Sequence, residues 1–147
     1  MALFSRTRRA IRRLLVVEDE PLIAFDNEHA LERAGYEIVA TVDRGDAAIA
    51  LLEPDKVDAI VLDVNLAGDV DGIAVAEAAR HRGIAVLFVT GSCPGQARDH
   101  AWGCLAKPYL PGELVDSLAV IDRMMRGEAV GDKPGALTLF RNAAADG

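Results

Sequence analysis

Three carboxylates and a lysine stand where apolar runs of the chain end. Glu18 and Asp19 follow the run 14–17, Asp63 follows 57–62, and Lys107 follows a third run. A charge at the tip of a buried strand is costly unless a cation or hydrogen bonds compensate it. Thr90 ends a further apolar run, 85–89. Hard oxygen ligands of this kind bind Mg²⁺, and the ion in turn neutralises a phosphoryl group placed beside a carboxylate. Asp63 is then the candidate nucleophile, attacking phosphorus in line, with Thr90 and Lys107 supplying a hydroxyl donor and countercharge. The acyl phosphate product carries close to two negative charges, enough to draw Thr90 and Lys107 toward it and bias a loop. Such chemistry suits a switch that modifies itself, not an enzyme turning over an external substrate. Each residue alone has an ordinary structural reading: a helix cap for the acids, a turn threonine, a solvated lysine.

The elements that must position these groups are legible in the patterning. Apolar runs alternate with stretches of helical periodicity, which predicts a doubly wound α/β fold with a five-stranded parallel sheet covered by helices. Strands are expected at 14–18, 36–41, 57–62, 85–89 and 103–106. Pro21 suits the opening turn of a helix whose Ile23, Ala30, Leu31 and Ala34 share one face and which ends at Gly35. Further helices are expected at 44–53, at 71–82 and from Pro111 to Gly127, the last with a stripe of Leu114, Leu118, Ile121 and Met125. Only residues 91–102 are left for a fourth helix and both its loops, so a short or irregular one is expected. Every candidate polar residue falls at the carboxyl end of a strand, where open parallel sheets collect ligands.

With 147 residues the chain is the size of one domain. Residues 1–13, with Arg6, Arg8, Arg9, Arg12 and Arg13, read as a mobile basic arm, 14–126 as the folded domain, and 127–147 as a flexible tail. The apolar patch Leu137, Leu139 and Phe140 could dock from that tail. A net charge of −7 argues against bulk nucleic-acid binding, so the expected partner is a protein or small molecule. No long apolar span predicts membrane insertion. Cys93 and Cys104 follow no metal spacing, and a reducing cytoplasm is the simplest compartment, which disfavours a disulfide between them.

The motifs LLVVEDEP, AIVLDVNL, DG, FVTG and AKPY, in that order, resemble the receiver domains of two-component response regulators over residues 14–126. The resemblance implies a flavodoxin-like three-layer sandwich with Asp63 as phosphoacceptor. It implies Mg²⁺ held by Glu18, Asp19, Asp63 and the backbone carbonyl of Asn65, with Thr90 the switch hydroxyl and Lys107 the phosphate-pairing lysine. The implied donor is a phosphohistidine on a sensor histidine kinase or a phosphotransfer protein. The EDEP start, the TGS turn and the short fourth helix also resemble the stand-alone receivers nicknamed FATGUY, which work with kinases of the HWE or a related class. Two departures stand out. Cys104 occupies the position where the family places a switching aromatic, for which Trp102 or Tyr109 is a candidate substitute. The loop from Asn65 to Gly72 is one residue longer than usual, which brings Asp69 near the expected site.

The expected function is thus a single-domain response regulator that signals by protein contact, with a homodimer as one form of that contact and the face 91–120 as its surface, or that drains phosphoryl groups from a kinase. A haloacid dehalogenase-type phosphatase would want a second Asp where Asn65 stands and room for a cap. A flavodoxin-like cofactor binder would want Gly, Ser or Thr after the first strand, where acids stand. A receiver-shaped interaction module that takes no phosphate is the remaining alternative.

Overall fold

The computed structural model describes residues 9–140. The strands are β1 (Arg13–Val17), β2 (Glu37–Val42), β3 (Ala59–Leu62), β4 (Ala85–Thr90), β5 (Gly103–Ala106) and β6 (Leu137–Leu139). The helices are α1 (Pro21–Arg33), α2 (Gly45–Ala50), α3 (Gly72–His81) and α4 (Pro111–Met125), with one 3₁₀ helix, Gly95–Asp99, between β4 and β5. Strand order is β2-β1-β3-β4-β5-β6; the first five are parallel and β6 runs antiparallel to β5.

Alternation along the strands explains the three layers. Leu15, Val17, Ile60, Leu62, Val86, Phe88 and Cys104 face one side, under α2, α3 and the 3₁₀ helix. Leu14, Val16, Val61, Leu87, Val89 and Leu105 face the other, under α1 and α4. Both faces are buried, so these strands read as continuous apolar runs rather than as alternating ones.

The expected stripe of α4 is met by Leu114, Leu118 and Ile121, which are all buried. In α1 the buried positions are Ala24, Asn27 and Leu31, so the inward face is turned from the one expected, and Ile23, Ala30 and Ala34 flank it. The short fourth helix is the 3₁₀ segment, a single tight stretch of five residues. Phe140 is buried in the same cluster as Ala97, Ala101, Phe88 and Cys104, and so covers sheet surface that this segment is too small to cover alone.

Four expectations need correction. The sheet has six strands, because residues 137–139 add an antiparallel strand to the edge of β5 in place of a flexible tail. Residues 9–13 are held, not mobile: the Ile11 amide donates to buried Asp122 at 2.8 Å, and the Arg12 and Arg13 amides donate to Asp58 at 2.9 and 2.8 Å. Backbone pairing and these carboxylate acceptors outweigh the low apolar content that suggested a loose arm. Residues 1–8 of that arm and 141–147 of the tail lie outside the described residues. Cys93 and Cys104 form a disulfide, because the loop after β4 folds back over β5 and brings their Cα atoms to 6.3 Å, inside the span of roughly 4.4–6.8 Å that such bonds need. Trp102 and Tyr109 pack in the cluster on the α1 and α4 side, whereas Cys104 belongs to the cluster on the opposite side, so neither takes the place of the missing aromatic.

Candidate functional site

The sheet's order reverses between β1 and β3, and the crevice at their carboxyl ends is where open α/β sheets place ligands. Glu18 follows β1 and Asp63 follows β3, side by side across that point. The apolar runs that build β1 and β3 therefore deliver both acids to one place. Gly72 at the start of α3 fixes the approach: a Cβ there would stand 2.4 Å from the Asp63 carbonyl oxygen and 2.6 Å from the Val64 Cα. Its amide donates to the Val64 carbonyl at 2.9 Å, and Asp71 caps the helix by accepting from the Ala74 amide.

Lys107 reaches the same point from the end of β5. Its Nζ lies 2.9 Å from Glu18 Oε1 and 2.9 Å from Asp63 Oδ2. Asp63 Oδ1 accepts from the Asn65 amide at 3.1 Å, and Glu18 Oε2 accepts from the Glu20 amide at 3.2 Å. The Lys107 amide donates to the Thr90 carbonyl at 2.8 Å, tying the ends of β4 and β5 together with Thr90 buried between them. Asp19, Asp63, Asn65, Gly91 and Lys107 line the open cleft above.

Electrostatics are tight because the carboxylates are dry. The Glu18 and Asp63 side chains are 0% and 6% exposed, against 16% for Lys107. Burial pushes the Glu18 carboxyl up to about 7, against the pull of Lys107 and with the help of neighbouring Asp63. For Lys107 burial opposes the charge, but the contacts with Glu18 and Asp63 prevail and hold the ammonium well above its ordinary value.

One ligand oxygen from each of Glu18, Asp19 and Asp63 falls within a 4.8 Å cluster. Three carboxylates face one ammonium there. Glu18 Oε1, although close to Lys107, has no hydrogen bond aligned on it and is buried. A buried carboxylate oxygen held only by an ion pair, in an over-acidic cluster, fits a hard divalent cation. Asp69 is not in this cluster; its charge acts on Arg44, which pairs with Asp46.

The structure thus brings Glu18, Asp19, Asp63 and Lys107 together, puts Asn65 on the cleft wall and places Thr90 at the neighbouring strand end. Sequence reasoning passed over Asn27. This residue sits buried on α1, and its Oδ1 accepts from the Tyr109 hydroxyl at 2.9 Å, two residues beyond Lys107. Burial pushes that phenol up to about 12, with the hydrogen bond to Asn27 opposing. A polar residue four positions after Ile23, on the inward side of an amphipathic helix, was the available signal.

The response regulator receiver domain model matches residues 14–119, and the chain belongs to that family. It is 34% identical over 113 residues to the transcriptional regulatory protein PdtaR of Mycobacterium tuberculosis, covering 73% of this chain and 55% of that protein. Identity to the alkaline phosphatase synthesis transcriptional regulatory protein PhoP of Bacillus subtilis is 31%, over 70% of this chain and 45% of PhoP. The chain thus spans about half the length of these curated relatives. A CheY-like receiver domain protein from Methanospirillum hungatei superposes with a TM-score of 0.71 at 22% identity, over 81% of this chain and 99% of that one. The receiver domain of a diguanylate cyclase from Desulfovibrio desulfuricans gives 0.69 at 27% identity, over 80% and 97%. The six-stranded, mostly parallel sheet with its flanking helices is the receiver fold.

Proposed function

We propose that this receiver domain takes a phosphoryl group onto Asp63 from a phosphohistidine of a sensor kinase or phosphotransfer protein and passes the signal on by protein contact. The observation that carries the reading is the shared lysine: Lys107 Nζ at 2.9 Å from both Glu18 and Asp63. Asp63 is held at the strand end with Oδ1 on the Asn65 amide and Oδ2 on Lys107.

In the transfer, an Asp63 carboxylate oxygen forms the bond to phosphorus as the bond to the donor's imidazole nitrogen breaks, and the imidazole, carrying a proton on its other ring nitrogen, leaves neutral. Lys107 then has a phosphoryl oxygen as a third anionic partner and holds it. The Asn65 amide keeps the carboxylate oriented, and the apolar strands around Asp63 exclude water from below. Glu18 and Asp19, with Asp63 and the carbonyl of Asn65, would hold Mg²⁺, which supplies countercharge to the transferring group. Thr90, at the end of β4, is the hydroxyl that follows the new charge. The chain acts on itself and not on a pool of substrate; the acyl phosphate is lost by slow hydrolysis.

Intact mass after incubation with Mg²⁺ and a small acyl phosphate tests this. A gain of one phosphoryl group in the native chain and none in Asp63→Asn is expected. No gain from that donor or from a phosphorylated kinase would instead make the domain a phosphate-independent interaction module.

A further inference from the structure

The loop that leaves the candidate switch hydroxyl is covalently tied. Cys93 lies three residues after Thr90, and its disulfide to Cys104 closes an eleven-residue separation across the 3₁₀ helix. Cys104 lies opposite Phe88 in the β4–β5 register, while Thr90 pairs with Ala106. The bond therefore pins the loop to the middle of the strand next to Thr90. The two residues differ in exposure: Cys93 is exposed, whereas Cys104 is 0% exposed among Phe88, Ala97 and Phe140. Gly91 and Gly95 bracket the loop, and a Cβ on either would meet nothing within 4 Å, so close packing does not require glycine at these two places.

We propose that Cys93–Cys104 is a reversible thiol–disulfide site whose redox state sets the freedom of the 91–95 loop and, on the reading that Asp63 is phosphorylated, how far that event is transmitted. The reductant is a dithiol of the thioredoxin class. Its thiolate attacks the sulfur of exposed Cys93, the Cys93–Cys104 bond breaks, and the Cys104 sulfur leaves and takes a proton. The second thiol of the reductant then attacks its own sulfur in the mixed disulfide, releasing Cys93, which is protonated in turn. Two electrons and two protons pass to the protein, and the reductant becomes its disulfide. Reduced Cys104 stays in the core as a small apolar side chain, and the loop is left with its 3₁₀ contacts only.

The test compares oxidised, dithiothreitol-reduced and Cys93→Ser protein, with alkylation and intact mass reporting the thiols. Two alkyl groups should be added only after reduction. Amide exchange of residues 91–99 should then rise about tenfold on reduction, and Cys93→Ser should show the fast exchange under both conditions. With a small acyl phosphate and Mg²⁺, NMR shift changes in 90–99 should be larger in the reduced protein at equal phosphoryl uptake. Equal exchange in oxidised and reduced protein overturns the proposal, as do equal shift changes at equal uptake. If neither form takes up phosphate from this donor or from a phosphorylated kinase, the reading of Asp63 fails, and the exchange comparison decides the redox site by itself.

Discussion

Lys107 Nζ stands 2.9 Å from Glu18 Oε1 and 2.9 Å from Asp63 Oδ2, one ammonium bridging two dry carboxylates from different strands. Removing it leaves buried Asp63 without its cation and pushes the Glu18 carboxyl, already raised by burial, further toward its protonated form. Lys107→Ala should therefore lower metal-free stability by about 2 kcal/mol, between the values typical of exposed and of buried pairs. Millimolar Mg²⁺ should recover much of the loss by replacing the missing countercharge. Thermal melts with and without Mg²⁺ check this; a loss that Mg²⁺ does not reduce would count against a cation site there.

Gly72→Ala adds a methyl group 2.4 Å from the Asp63 carbonyl oxygen. Alanine's helix propensity cannot offset that overlap, and the strand end must shift. The expected cost is about 2 kcal/mol, seen in urea unfolding, together with reduced phosphoryl uptake in the intact-mass assay. Gly112→Ala, whose Cβ meets nothing within 4 Å in the first turn of α4, is the matched control: it should leave uptake unchanged and raise stability by up to about 1 kcal/mol.

Phe140→Ala should uncover the sheet surface beside the 3₁₀ helix. Phenylalanine truncations in cores cost roughly 3–5 kcal/mol, and the lower end is expected because a terminal strand can relax. Unfolding midpoints in urea measure it, and 3₁₀-helix amides should exchange faster.

Asp58 binds the amides of Arg12 and Arg13 and the Arg13 guanidinium. Burial works against its charge, but the Arg13 side chain and the two amides prevail and hold the carboxyl below 3.8, its ordinary value. A depressed folded value gives stability that is present above the ordinary value and lost as pH falls through the folded one. Asp58→Asn should thus lose stability at neutral pH and narrow the gap to the native protein below about pH 4. Denaturation at pH 7 and pH 3 checks the sign.

Most of the fold was legible because both sheet faces are buried, so β1, β3 and β4 announce themselves as unbroken apolar runs. The site acids were legible for the same reason: a charge after such a run has no routine explanation. Three things were not. The partner of Ile11 is Asp122, more than a hundred residues away, and no local pattern shows such an acceptor. Strand β6 is three residues long, with Leu137 buried, Thr138 exposed and Leu139 half-buried, too short to carry a period. The Cys93–Cys104 bond depends on how an irregular loop folds back, which composition does not encode.

Strand β6 also decides how this molecule can associate. An uncovered edge strand offers its backbone to any other chain, and β5 would have been such an edge. Because β6 is joined to α4 through residues 126–136, it competes for β5 at an effective concentration on the order of millimolar. A second molecule seeking that edge must displace a resident strand, which it can do only as its own concentration approaches that value. Among the described residues, pairing by backbone is then open at β2 and along the outer side of the three-residue β6, whereas β5 itself is closed to it.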